Sequence, residues 1–214
     1  MDADLFSDMP TPEISLGEGA VLLPGFAAGI AEELIAGVEQ VVAQSPLRHM
    51  ETPGGFRMSV AMTNCGKVGW FTDRKGYRYD RIDPLTGQPW PTMPLVFQTL
   101  AVESAARAGY PRFRPDACLV NCYQPGARMS LHQDKNEKDD TAPIVSVSLG
   151  LPAIFMFGGL QRGDRARRYP LNHGDVVVWG GPSRFHFHGV APLKAGLHPL
   201  TDARRINLTF RKAL

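Results

Sequence analysis

From about residue 117 onward, the chain is a succession of short β-like runs that end at turn residues. A Pro-Gly or Gly-Gly pair follows several of these runs. Many short strands with turn residues between them are typical of β-sandwiches and jelly rolls. The predicted strands cover residues 118–123, 144–149, 154–157, 175–179, 185–190 and 205–210. We therefore expect a sandwich or jelly-roll core over about residues 115–214, in a mainly β member of the α+β class.

Two helices are predicted before this core. Over residues 29–43, Leu34, Val38 and Val41 fall on one stripe, as in a helix packed on a sheet. A second helix is predicted over residues 95–108, where Gly109 is a stop signal. The 214 residues suit one β-rich domain, so we expect residues 1–214 to form a single unit.

The segment between the two helices, about residues 48–94, has a different composition. It is rich in glycine, proline, aspartate and aromatic residues, and we expect its strands to be short at best. A long irregular region in a compact domain is usually functional, often as a lid. This segment is therefore predicted to cover a site.

A candidate metal site begins at His132 and Asp134. In an extended segment, residues two apart point the same way, so these two side chains can converge on one ion. A third ligand must come from a distant strand, and either His186 or His188 could supply it because they too are two residues apart. Two histidines and one carboxylate are the ligand set that non-haem Fe(II) oxygenases use.

The last predicted strand has two different faces. By alternation, Arg205, Asn207, Thr209 and Arg211 share one face, and apolar residues share the other. The planar guanidinium of arginine binds carboxylates through two parallel hydrogen bonds. The pattern suits a dicarboxylate held near a metal, and its alternative is an edge strand with its polar face in water.

The chain resembles the AlkB family of Fe(II)/2-oxoglutarate-dependent demethylases, which act on alkylated bases in DNA and RNA. The matching stretches cover nearly the whole chain. They are residues 52–55 (TPGG), 58–66 (MSVAMTNCG), 115–121 (PDACLVN), 132–135 (HQDK), 142–150 (APIVSVSLG), 173–181 (HGDVVVWGG) and 207–211 (NLTFR).

The resemblance implies the double-stranded β-helix fold and an oxidative demethylation. Fe(II), 2-oxoglutarate and O2 would convert an N-methyl group to formaldehyde, with succinate and CO2 as co-products. The family pattern places the third ligand before a glycine, which selects His188 and leaves His186 for packing or support.

The resemblance also implies the residues around 2-oxoglutarate. They are Asn121, Tyr123, Arg205, Asn207 and Arg211. In this prediction Arg211 pairs with the remote carboxylate of the co-substrate, while Arg205 and Asn207 support its metal-bound end. For Asn121 the alternative is a buried amide that only satisfies its own strand.

The predicted substrate is alkylated, single- or double-stranded DNA or RNA. Trp70 and Tyr77 lie among basic residues, which suits an unstacked base beside its phosphates. The resemblance adds Thr52, Met62 and Tyr79 to the wall around the base. Further residues assigned to the substrate are Lys135, Asn136, Glu137 and, from a second basic cluster, Arg162. Ordinary loop packing is the alternative for the aromatic residues. A solvated hairpin is the alternative for the basic cluster.

One residue departs from the family's best-known pattern. Asn136 stands where a carboxylate would accept a hydrogen bond from the exocyclic amine of a methylated base. The neutral amide attracts a cationic base less. We therefore predict weaker discrimination in favour of cationic lesions.

Net charge and cysteine content give weaker information on the binding partners and the cellular compartment. A formal net charge of +2 neither requires nor excludes nucleic acid. Three cysteines without a metal-knuckle spacing favour reduced thiols in the cytoplasm. The acidic first six residues lack the layout of a signal peptide. We expect a cytoplasmic monomer with no membrane segment and no obligate protein partner.

Other functions remain open from the sequence. An oxygenase acting on a protein or a small molecule would share the metal ligands and the arginine strand. A non-catalytic jelly-roll binding module and a zinc hydrolase are further alternatives, although neither explains the full set of residues.

Overall fold

The computed structural model describes residues 12–214, which form fourteen strands and two α-helices. The strands are β1 (Ile14–Gly17), β2 (Ala20–Leu23), β3 (Arg48–Glu51), β4 (Arg57–Gly66), β5 (Gly69–Asp73), β6 (Gly76–Asp80), β7 (Ala117–Tyr123), β8 (Met129–His132), β9 (Ile144–Gly150), β10 (Ala153–Phe157), β11 (Arg167–Leu171), β12 (Val176–Trp179), β13 (His188–Val190) and β14 (Arg205–Arg211). The helices are α1 (Ala31–Gln44) and α2 (Leu95–Arg107).

Two antiparallel sheets and a separate ribbon make up the β structure. The large sheet has the order β1-β2-β12-β9-β14-β7-β4-β3, and the small sheet has the order β11-β10-β13-β8. Strands β5 and β6 pair with each other as a two-stranded ribbon, the β5–β6 ribbon. The predicted mainly β fold with a jelly-roll core and two supporting helices is confirmed.

The two helices support the large sheet through one apolar cluster. Leu34 and Val41 of α1 are buried in this cluster with Phe97 of α2 and Phe210 of β14. At Gly37 an added Cβ would lie 2.8 Å from the Phe97 ring, so the helices can approach this closely only because a glycine is there. The helices therefore fix the position of β14, which carries the polar face predicted above.

Aromatic side chains fill part of the space on the other side of the large sheet. Phe155 of β10 lies 5.9 Å from Trp179 of β12, between ring centroids, and both are buried. The Trp179 ring lies 4.8 Å from His188. This packing places the start of β13 against the buried face of the large sheet.

The segment 48–94 is more regular than predicted. Strand β4 is ten residues long and pairs with β7 inside the large sheet. The polar residues of β4 do not indicate a buried strand, yet Thr63 and Asn64 are fully buried and form hydrogen bonds within the protein. Only the β5–β6 ribbon and the irregular stretch after it stand apart from the large sheet.

The predicted strand over residues 185–190 is shorter in the structure. A 3-10 turn at Gly181–Ser183 precedes it, and β13 begins only at His188. The backbone N–H of His186 donates to the Ser183 carbonyl, which continues the turn rather than a strand. His186 therefore lies before the strand, against the ring of Phe157.

Two observations concern the setting of the protein. Among residues 12–214 no helix is long and apolar enough to cross a membrane. The three cysteines, Cys65, Cys118 and Cys122, are buried and free. The acidic first six residues lie outside the residues that the structure describes.

Candidate metal centre and adjoining pocket

Three potential metal ligands meet where β8 and β13 lie side by side. His132 at the end of β8 is in register with His188 at the start of β13, and Asp134 follows two residues after β8. One ligand atom from each lies within 4.8 Å of the others. The Nε2 atoms of His132 and His188 are 3.6 and 3.7 Å from the two carboxylate oxygens of Asp134. The predicted ligands are brought together, and His188 is the histidine that faces the other two.

Backbone contacts orient both imidazole rings. Nδ1 of His132 donates to the Ser130 carbonyl at 2.8 Å, and Nδ1 of His188 donates to the His186 carbonyl at 3.0 Å. A carbonyl oxygen can only accept, so Nδ1 carries a proton in both rings and Nε2 is the nitrogen that remains for a metal. Burial and the neighbouring His132 lower the pKa of His188 to about 3, which keeps its ring neutral.

The glycine after His188 has a structural reason. A Cβ at Gly189 would lie 2.6 Å from the Met129 carbonyl oxygen of β8. Only a residue without a side chain lets β13 approach β8 this closely. This approach sets the separation of the two histidines.

Asp134 is fixed by an arginine of β14. Nε and Nη2 of Arg211 donate to its Oδ2 at 3.0 and 2.6 Å. Burial acts to raise the pKa of the Asp134 carboxyl, but Arg211 and the two histidines together hold it below its usual range. Asp134 is therefore ionised, with Oδ1 on the side of His132.

Comparison with known proteins identifies the family. Residues 19–211 match the 2OG-Fe(II) oxygenase superfamily. The chain is 60% identical to the alpha-ketoglutarate-dependent dioxygenase AlkB of Escherichia coli over 210 residues, covering 98% of this chain and 97% of that protein. The chain belongs to the AlkB family. A homologue from Caulobacter vibrioides is 44% identical over 185 residues, covering 86% and 80% of the two chains.

A solved structure supports the same assignment. The structure of OsALKBH1 superimposes with a TM-score of 0.81 at 29% identity, covering 94% of this chain and all of that one. This AlkB-family chain is thus an Fe(II)/2-oxoglutarate-dependent dioxygenase, and its fold and cofactor class are those that the sequence predicts. The three predicted ligands lie together as a group that could hold a metal ion. The binding-module and zinc-hydrolase alternatives are set aside.

The pocket beside the metal centre is lined by the large sheet and by β8, β10 and β13 of the small sheet. Its polar lining comes from Asn121, Tyr123, Ser146, Arg205, Asn207, Thr209 and Arg211, together with the three potential ligands. The polar face predicted for β14 therefore points into this pocket and not into water.

Buried polar atoms in the pocket lack partners. Within the described part of the chain, Nε and Nη1 of Arg205 and Oδ1 of Asn121 have no hydrogen-bond partner. Arg205 is held by Ser148 Oγ at 2.8 Å, and its guanidinium lies 4.9 Å from the centre of the Tyr123 ring. Buried polar groups are rarely left unpaired. A carboxylate such as that of 2-oxoglutarate would accept hydrogen bonds from the two Arg205 donors. The Asn121 oxygen is itself an acceptor and needs a donor.

The two arginines of β14 lie at different ends of the pocket from those predicted. Arg211 contacts the metal ligand Asp134, whereas Arg205 lies beside Tyr123 and has two unpaired donors. Alternation along β14 showed that both share a face, but it carried no information on which end is nearer the metal. Asn207 is bonded to Ser146 Oγ and to the Val147 carbonyl, and it accepts from Asn121.

The predicted substrate residues fall into two groups. Trp70 and Tyr77 stack with ring centroids 5.7 Å apart, and the indole N–H of Trp70 reaches Oδ1 of Asn136 at 3.4 Å. Lys135 is exposed next to Asn136. Arg162 donates to the Leu131 carbonyl, next to His132. These residues lie around the metal centre or on its exposed side.

The other predicted substrate residues either form hydrogen bonds within the protein or are buried in it. The Tyr79 hydroxyl donates to Glu137 at 2.6 Å, and the Glu137 side chain is buried. Met62 is fully buried on β4. The hydroxyl of Thr52 accepts from the Phe56 backbone N–H in its own loop.

Several pocket residues escaped the sequence analysis. Ser146 and Trp179 line the pocket, and Ser148 holds Arg205. The alternation of valine and serine in β9 was a visible signal, because polar residues at period two mark a second, polar face. Arg184, which donates to the Asp134 carbonyl at 2.7 Å, gave no such signal because it lies in a turn.

Proposed function

We propose that this dioxygenase removes N-methyl groups from damaged bases in DNA and RNA, such as 1-methyladenine and 3-methylcytosine. The methyl group leaves as formaldehyde, and 2-oxoglutarate becomes succinate and CO2. The observation that carries the proposal is the contact between Trp70 and Asn136, two residues after Asp134. This contact joins the aromatic pair of Trp70 and Tyr77, which is suited to stacking a base, to the metal loop, the residues 133–143 between β8 and β9 that contain Asp134.

We assign His132, Asp134 and His188 as the residues that bind the metal. When bound, Fe(II) and 2-oxoglutarate together use O2 to oxidise a C–H bond of the methyl group. Both histidines use Nδ1 for a backbone carbonyl, so each would bind the metal through Nε2, and Asp134 would bind it through its carboxylate. A set of two histidines and one carboxylate would leave positions on the metal for the co-substrate and O2.

For 2-oxoglutarate, the geometry favours roles opposite to those inferred from the sequence. We assign Arg205 and Tyr123 to the remote carboxylate, because the unpaired donors of Arg205 are buried there. Arg211 stays at the metal end with Asp134. Asn121 and Asn207 line the wall between them.

For the nucleotide, we assign the stacking surface to Trp70 and Tyr77. Tyr77 is 50% exposed, so the pair presents an open aromatic face. Arg74 and Lys75 of the same ribbon are exposed and can contact phosphates. We assign Arg162 and Lys135 to the path of the bound nucleic-acid strand. Thr52 is assigned to the wall around the base, and Met62, which is fully buried, can only support that wall from inside the protein.

Trp70→Ala is expected to weaken binding of a methylated single strand by about tenfold or more, because stacking contributes about 1–3 kcal/mol per base. The affinity for 2-oxoglutarate should not change. Fluorescence anisotropy with a labelled strand measures the first quantity. Tyr77→Phe is the matched control, since it keeps the stacked ring. Equal affinity for the strand in Trp70→Ala and wild type would contradict the assignment.

Asn136→Asp is expected to favour cationic lesions over neutral ones by about fivefold, because charge-assisted hydrogen bonds are roughly twice as strong as neutral ones. Aspartate has nearly the same shape and can still accept from Trp70. The measurement compares kcat/KM for 1-methyladenine, a cation, with that for 3-methylthymine, which is neutral. An equal gain or loss on both lesions would refute the prediction.

The test of substrate class is 2-oxoglutarate consumption with and without a methylated strand. We expect succinate formation to rise with a strand containing 1-methyladenine and to stay at its basal rate with the unmodified strand. A preparation active with 2-oxoglutarate but indifferent to methylated strands would favour a protein or small-molecule substrate.

We also propose that the enzyme works as a monomer in the cytoplasm without an obligate protein partner. Three free, buried cysteines suit a reducing compartment. Sedimentation at micromolar concentration tests the monomer, and a concentration-dependent dimer would count against it.

A further inference from the structure

Glu137 is a buried carboxylate that contacts side chains from three parts of the fold. Its side chain is 2% exposed. Oε1 accepts from the Tyr79 hydroxyl at 2.6 Å and lies 3.5 Å from Nε of Arg211. Oε2 accepts from Nη2 of Arg184 at 3.0 Å. Because a buried charge is costly unless it is paired, these contacts determine where Glu137 lies.

Arg211 and Arg184, the two arginines that contact Glu137, also contact Asp134, the proposed metal ligand. Arg211 donates twice to Oδ2 of Asp134, and Arg184 donates to the Asp134 backbone carbonyl at 2.7 Å. Nε of Arg184 also donates to the Ala142 carbonyl, near the end of the loop between β8 and β9 that contains Asp134 and Glu137. Two positive charges thus lie among two carboxylates. Neutralising Glu137 would leave Arg211 with the Asp134 carboxylate alone and would remove the carboxylate partner of Arg184.

Tyr79 connects this buried cluster to the β5–β6 ribbon. The ribbon strands pair with each other and with neither sheet of the described chain. The Tyr79 ring packs on a small cluster that contains Val68, Ala117 and Ala213. Burial and the proximity of Glu137 raise the pKa of the Tyr79 hydroxyl, so it stays protonated and donates. Its bond to Glu137 is a direct polar contact between the ribbon and the metal loop.

We propose that Glu137 is a positioning residue that orients Asp134 through Arg211 and, through Tyr79, links that orientation to the order of the β5–β6 ribbon. Its carboxylate is used within the protein, so this role replaces the predicted contact of Glu137 with the base. Metal binding and ribbon ordering then favour each other, as linkage requires. The proposal rests on the proposed function only in treating the ribbon as the nucleotide-binding segment.

The test uses Mn(II) as a redox-inert probe of the metal site. The affinity for Mn(II) is measured from the electron paramagnetic resonance signal of the free ion. Order in the ribbon is measured by hydrogen exchange of residues 69–80, with and without Mn(II). The amides of β7 and β14 in the same samples report whether each variant is folded.

Glu137→Gln is expected to weaken Mn(II) binding by about tenfold, the usual lower effect of losing a group that supports a ligand. In wild type, Mn(II) should slow exchange in the ribbon by about fivefold. That slowing should be lost in Glu137→Gln. It should also be lost in Tyr79→Phe, which removes the hydroxyl and keeps both arginine contacts, with Mn(II) affinity changed by less than about threefold.

Glu103→Gln is the matched control, because Glu103 is an exposed glutamate on α2. It should behave as wild type in both measurements. Wild-type Mn(II) affinity together with a metal-dependent ribbon in Glu137→Gln would overturn the proposal. If Glu137→Gln does not fold, Tyr79→Phe decides: a ribbon that still responds to Mn(II) overturns the link, and one that does not supports it. Neither measurement uses nucleic acid, so failure of the repair function would leave these results unchanged.

Discussion

Replacing Asp134 with asparagine is expected to lower the affinity for Fe(II) by about 1000-fold, with demethylation falling below detection. Losing a group that merely supports a ligand commonly costs about 10–100-fold in metal affinity, so losing the charged ligand itself should cost more. The change also removes the carboxylate to which Arg211 donates twice and leaves Arg211 with Glu137, 3.5 Å away, as its carboxylate partner. Isothermal titration with Mn(II) and a formaldehyde assay measure the two effects.

Asp83→Asn provides a matched control. Asp83 is also a fully buried aspartate paired with an arginine, Arg48, but it joins β3 to the stretch after the ribbon and lies outside the metal centre. Its loss should lower thermal stability and leave metal affinity unchanged. The assignment of Asp134 is wrong if its asparagine variant binds Mn(II) as tightly as Asp83→Asn does.

Arg205→Ala is expected to raise the KM for 2-oxoglutarate by about 100-fold, with a smaller change in kcat. Truncating one partner of a buried charge pair costs about 2–5 kcal/mol, and 1.4 kcal/mol corresponds to about tenfold. Arg205→Lys should recover only part of the loss, because lysine keeps the charge but not the planar pair of donors. Steady-state succinate formation at varied 2-oxoglutarate gives both constants.

Two further variants sharpen this experiment. Arg204→Ala is a control on the neighbouring residue, whose exposed side chain bonds to the Thr201 carbonyl outside the pocket. It should leave the KM for 2-oxoglutarate unchanged. Arg211→Ala should act mainly on metal affinity. A large rise in this KM in Arg211→Ala, with none in Arg205→Ala, would restore the assignment that the sequence suggested.

The jelly-roll half of the fold could be predicted because its strands are short and end at strong turn residues. His132 and Asp134 could be predicted as potential metal ligands because they are close in sequence. For the third ligand the residues alone left His186 and His188 open, and the resemblance to the AlkB family selected His188, which precedes a glycine. The structure explains that glycine by the approach of β13 to β8. Local sequence patterns were enough to predict those features that depend on residues close together in the chain.

Other features depend on contacts between distant residues. Strand β4 was hidden because its buried polar side chains, Thr63 and Asn64, are satisfied by partners from other segments. The positions of Arg205 and Arg211 relative to the metal depend on where the loop after β8 meets β14. Likewise, the burial of Glu137 follows from Arg184, 47 residues away.

The measurement that tests the central claim most directly is intact-mass analysis of a short single strand carrying one 1-methyladenine. The strand is incubated with the enzyme reconstituted anaerobically with Fe(II), then given 2-oxoglutarate and air. We predict loss of one methyl group from the strand, an equal amount of formaldehyde, and neither product with His132→Ala. Consumption of 2-oxoglutarate by the iron-loaded enzyme, with the strand mass unchanged, would contradict the account.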